Sequence, residues 1–316
     1  MNIKKESTDG GLRSLVGTRA FYKKVLLVAV PIMIQNGITN FVSLLDNIMV
    51  GQVGTEQMSG VAIANQLVFI FNLCIFGAVA GAGILGAQFY GSGNSEGVRD
   101  TFRFKLLFGV ILSAIFAVIF LTVGEPLIQQ FIHQGEGIGD LEATRSYGKA
   151  YLEVIVIGIL PFALTQCYSG TLRETGETVI PMIAGIIAVL VNLVFNYILI
   201  FGKLGAPELG CVGAAIATVL SRFVELAIVA GWTHKHVAWN PFIRGALRSF
   251  KIPGSLLKQI IAIGLPLFIN ELMWSFGITF MTQCYSVRGL EVVAAFNIAN
   301  TISNVFNVVF LSLGNS

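Results

Sequence analysis

Charge is what this chain has least of. Asp, Glu, Lys and Arg make up only 12% of its 316 residues, about half of what a soluble domain carries. That shortage excludes a soluble globular enzyme, a disordered chain and a nucleic-acid-binding module. The net charge of +3 and the pI of about 8.7 leave no basic surface for a polyanion. Histidine is nearly absent: His133, His234 and His236 all fall between apolar runs, so no nucleophile–His–carboxylate set can be assembled. No HExxH, phosphate-binding loop or dinucleotide fingerprint occurs, and ATP-driven transport therefore has no engine in this sequence. The four cysteines, Cys74, Cys167, Cys211 and Cys284, show neither metal-ligand spacing nor a CxxC pair and read as core thiols. No metal site is expected beyond a possible Na⁺ site, and no cofactor.

Apolar residues are abundant instead: 55% of the chain is hydrophobic and the mean hydropathy is +0.79. Eight runs are long enough to cross a bilayer core, which takes roughly 20 residues of helix. They lie near 24–50, 59–87, 104–124, 147–169, 178–201, 210–232, 256–284 and 293–316. None alternates as a barrel strand would, so the expected class is an all-α polytopic membrane helix bundle. The first run is too long for a cleaved signal peptide. Lys and Arg between the runs set the orientation. With the N-terminus in the cytoplasm, fifteen fall inside, in groups around 4–24, 99–105, Arg173 and 235–258. Four fall outside, namely Arg145, Lys149, Lys203 and Arg288. Residues 1–20 read as a cytoplasmic tail. Residues 233–255 read as a cytoplasmic linker, with an amphipathic stretch near Pro241–Phe250 suited to the membrane surface.

Sliding the sequence by 235 residues pairs Pro31 with Pro266, Ile63-Ala64-Asn65 with Ile298-Ala299-Asn300, and Phe71-Asn72 with Phe306-Asn307. This predicts a six-span repeat. Residues 21–232 form one complete six-helix lobe, and 256–316 the first two helices of a second, pseudo-symmetric lobe. An even number of spans gives both copies one orientation, with an axis along the membrane normal. Ser316 falls opposite Gly81, in the middle of the second span of the copy. The sequence thus reads as C-terminally truncated by roughly 150 residues.

Ionisable and polar side chains within spans are expensive there and are candidates for function. Asp46 lies late in the first span and reads either as an interfacial acid or as a carboxylate that binds a proton or cation inside the bundle. Glu271 follows Pro266 by five residues. A proline frees a backbone carbonyl one turn earlier, so Glu271 could hold a proton or small cation, or could bond a neighbouring helix. Asn192 and Asn196 stand one turn apart on one stripe of the fifth span. They could bridge helices or complete an oxygen cage with Asp46. Thr218 sits among Gly213, Ala214, Ala215 and Ala217. Arg222 and Glu225, three apart, make a structural ion pair near the cytoplasmic side. Gln35, Met33, Phe41 and Met273 are candidates for the wall of a substrate cavity, with core packing as the plainer role for the apolar ones.

These segments together resemble the multidrug and toxic compound extrusion (MATE) family. The resemblance rests on Pro31 to Gln35, Asp46-Asn47-Ile48-Met49-Val50-Gly51, the stretch from Ile63 to Gly91, Leu172-Arg173-Glu174-Thr175-Gly176, Gly213-Ala214-Ala215-Ile216-Ala217-Thr218 and Gly264-Leu265-Pro266. It implies twelve spans in two lobes around a V-shaped cavity. It also implies export of small organic cations and drugs by alternating access, in exchange for Na⁺ or H⁺, by a monomer in the inner (plasma) membrane. Asp46 then resembles the family's first-span carboxylate, and Asn192, Asn196 and Thr218 its partners in a cation site. Some relatives carry Asp where Asn196 stands, so this site keeps one carboxylate instead of two. Glu271 resembles a seventh-span carboxylate of the Na⁺-binding branch. Two other readings compete. A lipid-linked sugar or polysaccharide flippase would need a basic cavity, and Arg222 is the one cation placed inside a span. A non-transporting scaffold would show no ion-dependent substrate movement.

Overall fold

Seven α-helices follow the first seven apolar runs in the computed structural model. It describes residues 18–131, 140–286 and 303; the expected eighth span, 293–316, otherwise lies outside them. The helices are α1 (Arg19–Gly51), α2 (Thr55–Gly91), α3 (Ser95–Phe131), α4 (Leu141–Glu174), α5 (Val179–Ile200), α6 (Gly210–Lys235) and α7 (Gly254–Ser286). Five of them, α2 to α6, are long and apolar enough to cross a membrane, while α1 and α7 carry shorter apolar stretches, Val25–Ile38 and Gly254–Asn270. The helices outrun the apolar sequence. α3 has 37 residues, about 55 Å at 1.5 Å per residue, against a hydrocarbon core of about 30 Å.

Local chemistry sets the ends. The Asn94 side chain accepts from Gly97 N at 2.9 Å at the start of α3. Asp140 caps α4 by accepting from Glu142 N and Ala143 N. α4 stops where Gly176 takes φ 86°. Gly176 N reaches Arg173 O at 3.0 Å and Glu177 N reaches Leu172 O at 2.8 Å, so the last carbonyls are satisfied by a left-handed turn that glycine makes without a Cβ clash.

α4 is the hub, packed on α2, α3 and α6; α5 packs on α6, α1 on α5, and α7 on α2. One core layer gathers Phe71, Phe120, Leu152, Ile155 and Ala215. A second, toward the end where α3 begins, gathers Phe102, Leu106, Tyr168, Leu172 and Val229. In a bilayer the helices gain little from leaving lipid, so close backbone approach carries much of the association. A Cβ added at Gly60 would stand 2.7 Å from both Gly148 N and Thr144 O of α4, and one at Gly81 would fall on the Gly264 backbone of α7.

α7 starts 235 residues after α1, the offset of the sequence repeat, and both place a proline at the same step, Pro31 and Pro266. The linker stretch Pro241–Phe250 is not one continuous helix. It forms two short 3₁₀ turns, Pro241–Ile243 and Ala246–Arg248, and buries Phe242, Ile243 and Ala246. Phe242 meets the Phe102 ring at 5.4 Å between centroids, and Arg103 of α3 donates to Gly245 O at 2.8 Å and Ala246 O at 3.0 Å. Lys105, counted above among loop cations, is fully buried in α3.

Candidate functional site

Four of the candidate residues converge on one point. Asp46 is half-buried on α1, five residues before the helix ends. Asn196 of α5 donates from Nδ2 to Asp46 Oδ1 at 2.6 Å. The same amide nitrogen is 3.1 Å from Asn192 Oδ1, one turn back, and the Asn192 amide reaches Thr218 Oγ1 of α6 at 3.2 Å. Turned over, the Asn192 NH₂ faces both Asp46 oxygens at 3.0 and 3.1 Å while its oxygen accepts from Thr218. α5 and α6 pack against each other, and α1 lies on α5, so three helices supply the cluster.

The donor set is oxygen-rich: two carboxylate oxygens, two amide oxygens and a hydroxyl. Asn196 is 1% exposed, and its Oδ1 is buried without a hydrogen-bond partner. A buried acceptor left empty costs about 1–3 kcal/mol. An oxygen with that vacancy beside a carboxylate is chemically suited to a hard monovalent cation, or to a protonated carboxyl that turns acceptor into donor.

Two residues that sequence reasoning missed flank this cluster. Tyr151 of α4 is buried, and its hydroxyl donates to Asn65 Oδ1 of α2 at 3.2 Å. It is within electrostatic reach of both Asp46 and Arg222. The signal was present, since Asn65 and Tyr151 are polar groups in apolar runs. Nothing in the spacing joins them across 86 positions.

The remaining candidates sit elsewhere. Arg222 Nη1 and Glu225 Oε2 are 3.1 Å apart on α6, with Glu225 the more buried partner. The guanidinium also lies over the Phe162 ring at 5.1 Å, and its charge reaches Asp46. Gln35 accepts from Arg173 Nη2 at 2.9 Å and packs against Gly185, so it ties α1 to the end of α4. Met33 is half-buried, while Phe41 and Met273 are 64% and 71% exposed. α1 lies on α5 and α7 on α2, and these side chains form no common wall among the described residues. Glu271 is on α7, but its side chain lies outside those described.

Comparison with known proteins follows the same lines. The family model described as MatE matches residues 31–198. A protein of Thermotoga maritima described as probable multidrug resistance protein NorM is 30% identical over 286 residues, which is 90% of this chain and 59% of that one. The probable multidrug resistance protein YoeA of Bacillus subtilis is 25% identical, over 93% of this chain and 62% of its own. The chain therefore spans about six tenths of the length of these curated relatives. A solved multidrug resistance MATE family transporter of the MOP superfamily, in an outward-facing conformation, shares the fold with a TM-score of 0.82. Its identity is 24%, and the match covers 98% of this chain and 66% of that one.

Proposed function

The chain belongs to the MatE family of multidrug efflux membrane transporters, and from that premise we propose that it is part of a secondary antiporter exporting small organic cations in exchange for Na⁺ or H⁺. The observation that carries this reading is the convergence of Asn192, Asn196 and Thr218 on Asp46, with the buried Asn196 amide oxygen left unpartnered.

A carboxylate among apolar helices is neutralised by whatever positive species reaches it. A proton, Na⁺ and an organic cation are three ways to satisfy Asp46, and they exclude one another. An ion arriving from outside displaces a bound drug, and a drug arriving from inside displaces the ion. The amides of Asn192 and Asn196 serve both states, because an amide donates to the bare carboxylate and accepts from, or coordinates, its neutralised form. Tyr151 and Asn65 hold the α2–α4 wall beside the cluster, and Arg222 is kept from competing by Glu225 and the Phe162 face.

Residues 21–232 form the N-terminal lobe in this reading, 233–255 the linker and 256–316 the start of a second lobe. Alternating access comes from the lobes rocking about their common axis. The N-terminus lies in the cytoplasm of a bacterial inner membrane, as the excess of Lys and Arg on that side supports. The test is efflux of a cationic dye from cells that lack their own pumps. Asp46→Asn should drop efflux to the level of empty cells at unchanged expression. Undiminished efflux in that variant would overturn the assignment.

A further inference from the structure

The seam between α3 and α7 carries two cavities of opposite character. At its cytoplasmic end, on the orientation proposed above, lies a cavity of about 330 Å³ whose walls bear Arg99, Arg103, Lys251, Glu96 and Asp100. Deeper along the seam lies an apolar cavity of about 250 Å³. Phe104 and Phe108 of α3 form one wall, Ile261 and Leu265 of α7 the other, and Gly77 and Ala78 of α2 the floor. Arg103 lines the first cavity and Phe104, the next residue, lines the second. From Pro253, just before α7, to Ile260 the wall advances about 10 Å.

The charges of the upper cavity are unequally committed. Arg103 is fully used, bonded to Asp100 at 2.9 Å and to the Gly245 and Ala246 carbonyls. That pair cancels its own charge. Glu96 is 85% exposed and no nearer to Arg99 than 3.9 Å. Arg99 Nε is buried without a hydrogen-bond partner, and Lys251 has no ion-pair partner among the described residues. Two cationic groups, one with an orphaned donor, thus line a cavity that lies about 10 Å along the same seam from an apolar crevice. The outer lips of that crevice, Ile261 and Leu265, are half-exposed.

We propose that this seam is a binding site for an anionic phospholipid of the cytoplasmic leaflet. Its phosphate is held by Arg99 and Lys251, and an acyl chain lies in the crevice between Phe108 and Leu265. Charge complementarity selects the headgroup, since basic pockets between spans on that side take phosphate headgroups. The apolar crevice farther along the same seam, within the reach of an acyl chain, selects a lipid over a soluble anion. The lipid would join α3 to α7, which otherwise meet through the α2 surface beneath them, and so act on the junction between the linker and the second lobe.

The experiment is native mass spectrometry of the full protein released from bilayers of equal phosphatidylglycerol and phosphatidylcholine. Phosphatidylglycerol should be retained in preference. Lys251→Gln and Arg99→Gln should each lower its retention about five-fold. Lys251 is exposed, so its variant leaves folding intact. Ala78→Leu, which fills the floor without touching a charge, should lower retention of the same lipid. Equal retention of both lipids would overturn the proposal, as would retention indifferent to these variants. Displacement of the lipid by millimolar inorganic phosphate would also overturn it, because the crevice would then contribute nothing.

Discussion

Removing the ammonium of Lys105 should destabilise this protein more than removing its whole ion pair. Lys105 Nζ lies 2.5 and 2.6 Å from the Glu174 carboxylate oxygens and donates to Thr171 Oγ1 at 3.2 Å. The lysine side chain is 0% exposed and that of Glu174 12%. The carboxylate rests against Gly83 and Gly86 of α2, where an added Cβ would collide with it. In Lys105→Met the stem is kept and the charge is lost, so Glu174 faces glycine backbone and hydrocarbon. Breaking one side of such a pair costs about 3–5 kcal/mol, whereas replacing both partners by apolar residues of similar volume is often neutral. The double variant Lys105→Met/Glu174→Met should therefore recover most of the loss. Chemical unfolding in detergent micelles, followed by tryptophan fluorescence, gives both numbers. A double variant as unstable as the single one would refute the account of this cradle.

Other outcomes follow from single contacts. Asn196→Asp puts a second carboxylate against Asp46 and should raise Na⁺ affinity of the purified protein, read by titration calorimetry; an unchanged affinity would remove Asn196 from the cage. Gly81→Ala drives a methyl group into the Gly264 backbone and should cost about 1–3 kcal/mol in unfolding free energy. Gly37→Ala, with open space around it, should be tolerated, and equal losses in the two would contradict the close α2–α7 approach. Gln57 accepts from Cys211 N at 2.8 Å at the start of α6, so Gln57→Ala should lose about 1 kcal/mol, visible as a lower unfolding midpoint.

How much of this was legible before the structure depended on range in sequence. Hydropathy located seven helices to within several residues, because burial in lipid is a property of composition. It understated their length, since polar turns beyond the apolar core, such as Ser95 to Arg103 of α3, stay helical. Contacts within one turn were also legible: Asn192 with Asn196, and Arg222 with Glu225. The meeting of Asp46 with Asn196 spans 150 positions; polar residues inside spans offered it as one of two readings, and the family resemblance favoured it. Lys105 was misplaced because counting basic residues treats a lysine at the edge of an apolar run as a loop residue. Its partner Glu174 and the glycines that admit the pair lie on two other helices. The tie between Gln35 and Arg173, 138 positions apart, was hidden for a similar reason.

The central claim is that one carboxylate is shared by ion and substrate. The measurement that bears on it most directly is equilibrium binding of a cationic dye to the purified protein at increasing Na⁺ and at falling pH, in the natural sequence and in Asp46→Asn. The expected result is competitive displacement of the dye by Na⁺ or by protons, with both displacements lost in the variant. Dye affinity indifferent to both ions, or displacement that persists without the Asp46 carboxylate, would contradict it.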